Sequence, residues 1–286
     1  MNPLFRILAL GGLLSWAASC DYIDKPLKNG VLPPPDTTTV IRKALIEDFT
    51  GHRCKNCPKA SKEIAKIDSL LPGRSVAVAI HAGSDAFTAP DSTNGYPTEF
   101  RTPEGDVLKQ FFRVSFQPAG MVSRLDYGPS GAAHLKLFSS WPSLVSQINL
   151  EPATVELEID GAYNSATRVL SGTVRSTLLA ASNADLRICL WLCESDIIAP
   201  QLLPDDTRDS AYVHHNVFRT SLNTAFGTVL SPNGGADGQN FDTPFSYTIP
   251  SGTDGYVAEN CKLVVFVYDN ATQEVLQTEE VAVGSL

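Results

Sequence analysis

Glu47-Asp48-Phe49-Thr50-Gly51-His52-Arg53-Cys54-Lys55-Asn56-Cys57-Pro58-Lys59-Ala60 decides how this chain is read. Cys54 and Cys57 stand three positions apart, and an apolar run, Ala44-Leu45-Ile46 and then Phe49, ends just before them. That run predicts a strand. After Cys57, the residues Ala60, Ile64, Ile67 and Leu71 recur at spacings of four, three and four, which predicts a helix. Pro58 suits its first turn, where no amide donor is needed, and Pro72-Gly73 end it. The CxxC therefore falls on a strand-to-helix turn, where amide donors and the positive end of the helix dipole stabilise a thiolate. Arg53 and Lys55 add positive charge, and Cys54, the outer thiol, is expected to be the more acidic. Such a pair is a redox site, a structural disulfide or half of a zinc site. Zinc wants a second cysteine or histidine pair, and the nearby His52 and His81 form no recognisable spacing with the CxxC. A redox pair is the preferred reading, with a structural bridge as the alternative; neither calls for a metal or cofactor.

The chain opens with one basic residue, Arg6, and an apolar run from Ile7 to Ala18, then Ser19-Cys20. A basic start, a short apolar core and small residues before a cut site describe a secretory signal over residues 1–19. The ending resembles a bacterial lipobox, which makes Cys20 the expected lipidation site and a membrane anchor; Ala17 departs from the usual leucine. Buried acyl methylenes contribute about 0.8 kcal/mol each, so several chains hold a protein firmly. Residues 20–39 are polar, lack periodicity and contain Pro33-Pro34-Pro35, the composition of a semi-rigid tether. An export compartment also permits disulfides.

The 286 residues suit one or two domains, and 43% hydrophobic against 19% charged content suits a packed core. A net charge of −9 and no basic cluster argue against a nucleic-acid partner. Six cysteines occur, and after Cys20 and the CxxC three remain, Cys189, Cys193 and Cys261.

Residues 40–150 alternate strands and helices. Ser75 to Ile80 is continuously apolar, as a parallel strand buried on both faces would be, and completes a βαβ unit. Ala82 to Arg101 reads as a loop insertion near the CxxC. Thr102-Pro103 start a helix whose apolar face is Val107, Leu108, Phe111 and Phe112. A hairpin follows, with strands at Met121–Leu125 and Ala133–Phe138, then a helix from Ser140 to about Leu150. Past Pro152 the pattern changes. Val155, Leu157 and Ile159 alternate with acids, and strands follow at Val169–Leu178, Leu186–Cys193, Tyr212–Arg219, Phe245–Ile249, Leu263–Tyr268 and Glu274–Val283. Residues 151–286 are thus expected to form an all-β, immunoglobulin-like sandwich. Within one strand Cys189 and Cys193 lie roughly 13 Å apart, too far to bond, whereas either can be met by Cys261 across strands; three buried thiols is the preferred reading. His214 and His215 point to opposite faces of a strand and cannot share an ion. Asp205, Asp206 and Asp209 read as a solvated loop.

The order of elements in residues 40–150 resembles the thioredoxin-like fold. The CxxC opens the first core helix, Asp48 lies six positions before Cys54, and Pro118 precedes the hairpin. The resemblance implies that Cys54 attacks, Cys57 resolves, Asp48 accepts a proton near Cys57 and Pro118 is a cis-proline shaping a peptide groove. Asp48 has an equal alternative as a strand-end cap, and His52 and His81 read as a loop residue and a supporting one. Arg53 stands where tryptophan is usual, and proline lies outside the CxxC at Pro58. With Cys20 and with Tyr212-Val213-His214-His215-Asn216-Val217-Phe218-Arg219, the CxxC block resembles the outer-membrane protein 28 family of Gram-negative lipoproteins. That implies an outer-membrane location and a role in surface binding or adhesion, with no established reaction. Two functions stay open: thiol–disulfide exchange on exported protein or peptide thiols and disulfides, or non-enzymatic binding of a surface partner with the CxxC as a structural bridge.

Overall fold

The computed structural model describes residues 40–128, 133–252 and 255–286. The expected signal segment, Cys20, the tether and the tip of the hairpin near 129–132 lie outside the described residues.

Strand β1 (Ala44–Thr50) is buried along its whole length. Its alternate residues feed two cores. Leu45 and Phe49 pack with Val76, Val78, Leu108 and Phe112, while Ala44 and Ile46 pack with Ala60, Ile64, Trp141 and Val145. Helix α1 (Cys57–Leu70) presents Ala60, Ile64 and Ile67 to the second core, with Leu71 packed against it, the stripe its spacing predicts. Strand β2 (Ser75–His81) then runs parallel to β1 in full register, from Ala44 opposite Ser75 to Thr50 opposite His81. Helix α2 (Pro103–Phe111) is capped by the Thr102 hydroxyl, which accepts from Gly105 N at 3.0 Å. Strand β3 (Ala119–Val122) returns antiparallel on the other side of β1, and helix α3 (Trp141–Asn149) covers it. The expected return strand at 133–138 is reduced to a bridge between Lys136 and Gly120.

The remaining strands are β4 (Val155–Asn164), β5 (Val169–Leu178), β6 (Leu186–Glu194), four short ones, β7 (Ile197–Ile198), β8 (Gln201–Leu202), β9 (Arg208–Asp209) and β10 (Val213–His214), then β11 (Val217–Ser221), β12 (Thr228–Ser231), β13 (Asn240–Thr248), β14 (Cys261–Asp269) and β15 (Val275–Ala282). The expected strand at Tyr212–Arg219 is two pieces, broken at Asn216, whose φ is +58°.

The expected boundary at residue 150 does not interrupt the sheet. One eight-stranded sheet has the order β15-β14-β6-β11-β2-β1-β3, with β12 paired to β6. The outer edge of β2 needs a partner, and β11 supplies it: Val217 lies opposite Ala79, and Ala79 N donates to Asn216 O at 2.7 Å. Residues 151–286 therefore do not make a separate two-sheet sandwich. A three-stranded sheet, β13-β5-β4, packs Val155, Leu157, Leu170 and Val174 onto Ile188, Leu190, Leu263 and Val265 of the large sheet. At the opposite ends of the large sheet, Val275 N donates to Ser123 O and Lys43 pairs with Glu279. Cys189 and Cys193 lie in the core that holds Trp191, and Cys261 lies in the one beneath the three-stranded sheet. All three are buried free thiols on opposite sheet faces, so no bond with Cys261 forms. No helix among the described residues is long and apolar enough to cross a membrane.

Candidate functional site

The strand-to-helix turn is built by the backbone. Cys54 N donates to Gly51 O at 3.0 Å, Cys57 N to Cys54 O at 3.1 Å and Lys59 N to Asn56 O at 3.0 Å. Cys57 is the first residue of α1, Pro58 follows, and Cys54 and Cys57 are joined in a disulfide with Cα atoms 5.4 Å apart. Asp48 stands opposite Gly120 and Phe49 opposite Ala119, so the next step of that register sets Pro118 beside Thr50. The Gln117–Pro118 peptide is cis. A side chain at Gly120 would strike the Trp141 ring, so glycine there lets α3 close on the sheet.

Asp48 follows Ala44 and Ile46 on the face of β1 turned toward α1, the face that Cys57 shares with Ala60 and Ile64 on the helix. It is fully buried, and neither carboxylate oxygen has a protein hydrogen-bond partner. Burial alone raises its pKa to about 8, so near neutrality it holds its proton. It borders a cavity of about 260 Å³ whose walls include Ser61, His81, Gln201, Tyr212 and His214. That volume is roomy and polar enough for several waters. The strand-end capping role open to Asp48 is not what the geometry shows, because it makes no hydrogen bond to the loop.

Three histidines are buried beside this cavity. Phe100 lies between them, its ring centroid 5.6 Å from His52, 4.7 Å from His81 and 4.8 Å from His214. Burial pushes His52 and His214 down to about 4 and His81 well below its ordinary value, so all three are neutral. His215 also borders the cavity, but from its exposed rim, and faces Asp196 at 3.4 Å. Among the described residues no group of three or more His, Cys, Asp or Glu is placed to hold a metal ion.

The disulfide is covered. Cys54 is 3% and Cys57 1% exposed. One cover is the loop 82–101: Arg53 N donates to Phe87 O at 2.9 Å, and Arg53 pairs with Asp91 at 2.8 Å. A side chain at Gly51 would strike the Phe87 carbonyl, so the loop approaches only because that residue is glycine. The other cover comes from the far half of the chain. Leu202 N donates to His52 O at 2.9 Å, Gln201 Nε2 to Cys54 O at 3.2 Å and Lys55 Nζ to Asp206 Oδ1 at 2.9 Å. The two covers meet where Arg208 Nη1 donates to Asn94 O at 2.9 Å. Arg53 and Lys55, expected to lend their charge to a thiolate, are thus neutralised by Asp91 and Asp206.

The fold brings Cys54, Cys57, Asp48 and the Pro118 loop to one end of the sheet. Sequence reasoning missed Gln201, Tyr212, Phe100 and Arg208. Phe100 lies within the loop 82–101, which the sequence marks as an insertion near the site, and Tyr212 opens a segment read only for its family resemblance; Gln201 and Arg208 reach the site across some 150 residues and leave no local pattern.

A family model for the outer membrane protein Omp28 matches residues 106–285, which lie after the CxxC. No curated protein matches. Among solved structures, HBP35 of Porphyromonas gingivalis superposes with a TM-score of 0.63 at 15% identity, over 85% of this chain and 76% of that one. A structural-genomics protein from Agrobacterium tumefaciens gives 0.50 at 11% identity, over 87% and 97%. A domain of the outer membrane lipoprotein Omp28 from P. gingivalis gives 0.32 at 22% identity, over 46% and 88%.

Proposed function

The chain belongs to the Omp28 family and is an outer membrane protein, and from that premise we propose that it is a lipid-anchored thiol–disulfide exchange protein acting on exported proteins. Residues 1–19 are the signal, Cys20 is the lipidated residue and 20–39 the tether. Residues 40–150 are a thioredoxin-like unit built into the larger sheet, and 151–286 are an elaborated β-rich part of it. The observation that carries the reading is the pairing of a helix-heading disulfide with a buried, protonated acid: Cys57 opens α1, and Asp48 faces the same helix stripe.

The chemistry follows from that placement. A partner thiolate attacks Cys54 Sγ, the Cys54–Cys57 bond breaks, and the electron pair leaves on Cys57 Sγ, which takes the Asp48 proton. The partner's second thiolate attacks the mixed disulfide, closes a partner disulfide and frees Cys54 as a thiolate. Two electrons pass from the partner dithiol to the pair. In reverse, Asp48 accepts the proton from Cys57; a pKa of about 8 suits both directions near neutrality. The cis Gln117–Pro118 segment borders the docking face.

A second reading is favoured by the burial of both sulfurs. There the bridge is structural and the protein binds a surface partner without reaction. A Cys57→Ser chain separates the two. Exchange predicts mixed disulfides on Cys54 that are trapped with exported proteins and released by reductant. A chain that traps nothing, even when fully reduced beforehand, supports the structural bridge.

A further inference from the structure

Attack on Cys54 needs a sulfur to approach it in line with the bond, and its 3% exposure leaves no such approach. Something must move. Strand β1 and helix α1 are locked into two cores. The loop 82–101 is pinned by Phe100, buried among three histidines, and by Thr88, also buried. Residues 201–209, the β8–β9 hairpin, are held differently; Ala199 just before them is buried with Phe100 and Val217 and stays fixed. Residues 204–208 are exposed. On the CxxC turn the hairpin makes polar contacts: Leu202 N to His52 O, the Gln201 amide to Cys54 O and Gly51 O, and Lys55 to Asp206. Beyond the buried Ala199, Arg208 ties the hairpin to the loop 82–101, through Asn94 O and the Tyr96 ring.

We propose that residues 201–209 are a displaceable clasp that keeps the Cys54–Cys57 bond shut until an extended polypeptide takes their place beside His52 and Cys54. The partner's chemistry is read from what the hairpin touches. The acceptors it fills are the backbone carbonyls of Gly51, His52 and Cys54, and any extended chain with free N–H groups satisfies them. A folded partner with its amides already bonded does not. The clasp therefore selects unfolded or loop segments. Its leading residues, Gln201-Leu202-Leu203, sit there as an internal stand-in. Both outer tethers are exposed polar contacts, weak individually and screened by salt. What the uncovered bond then does rests on the exchange reading above; the gate itself does not.

The test is the rate at which dithiothreitol reduces Cys54–Cys57 in the full chain, read by alkylation and mass at timed intervals. The double variant Asp206→Asn/Arg208→Ala removes both outer tethers without touching a sulfur or the Asp48 cavity. It is expected to be reduced about five- to tenfold faster, with an unchanged melting curve. In the unaltered chain, high salt and a thiol-free unfolded polypeptide (fully carboxymethylated lactalbumin) are each expected to raise the rate, and salt should do so much less in the variant. Equal rates in all four settings overturn the clasp. A second assay, electron transfer from the reduced chain to a scrambled protein disulfide, tells the two proposals apart. Fast reduction of the variant with no transfer keeps the clasp and removes the exchange reading. Transfer that runs with equal reduction rates in both chains keeps exchange and removes the clasp.

Discussion

Asp48 is a carboxyl group held in the form its side chain normally abandons. Unfolded, it releases its proton near 3.8; folded, it keeps it to about 8. Between those values the folded chain binds one more proton than the unfolded chain, so this residue lowers stability as pH rises from about 4 to 8 and changes nothing further outside that window. The cost at pH 7 is on the order of 4 kcal/mol. Asp48→Asn is therefore expected to raise the melting temperature at pH 7 by about 5 °C or more, to leave it unchanged near pH 3.5, and to slow exchange on the order of a hundredfold for want of a proton on Cys57. A variant less stable at pH 7 would contradict the assignment. The three buried histidines act with the opposite sign. Their folded values lie below the ordinary 6.5, so their contribution is lost as pH falls from 6.5 toward 4. The two cysteines were legible as a CxxC at a strand-to-helix turn, and Asp48 through the thioredoxin-like resemblance, since in the strand itself it is one of two adjacent acids. The histidine cluster was not, because His52, His81 and His214 meet only after β10 is laid beside the end of β2.

Glu47 and Arg124 are the comparable feature between elements. Arg124 Nε donates to Glu47 Oε2 at 2.8 Å and Nη2 to Oε1 at 2.9 Å, with both side chains fully buried. The guanidinium lies 4.8 to 5.1 Å from the ring centres of Phe112, Phe266 and Tyr268. One side chain thus links β1, the end of α2 and β14. Glu47→Gln leaves a buried cation without its partner and is expected to cost about 3–5 kcal/mol in urea unfolding; Glu47→Met/Arg124→Met is expected to cost less than half of that. Additive losses would contradict the pairing. The strands and helices themselves were readable wherever period two or 3.6 ran for six residues or more. The short strands β7 to β10 and β12 span two to four residues, too few to show a period.

Across the whole molecule, the change of pattern at residue 150 is a change of local structure and not of core. Strand β2 is completed by β11, and Leu45 and Phe49 share their core with Trp191, Phe266 and Tyr268. A fragment of residues 40–150 is therefore expected to lack a cooperative thermal transition, as seen by circular dichroism, whereas residues 40–286 melt as one unit. A cooperatively folded fragment would contradict the shared core. Periodicity shows which face of each strand is buried and leaves open which strand lies beside it, so a neighbour some 140 residues away was not legible. Of the two covers over the disulfide, the loop 82–101 was legible as an insertion near the CxxC; the hairpin at 201–209 was hidden for a related reason, since it binds through backbone carbonyls and exposed ion pairs that carry no sequence signature.

The measurement that bears most directly on the chemistry is the reduction potential of Cys54–Cys57 in the full chain, taken at equilibrium in glutathione or dithiothreitol buffers. A value between roughly −270 and −120 mV is expected for a pair that trades electrons with exported proteins. A value below about −300 mV contradicts exchange and makes the bond a permanent brace.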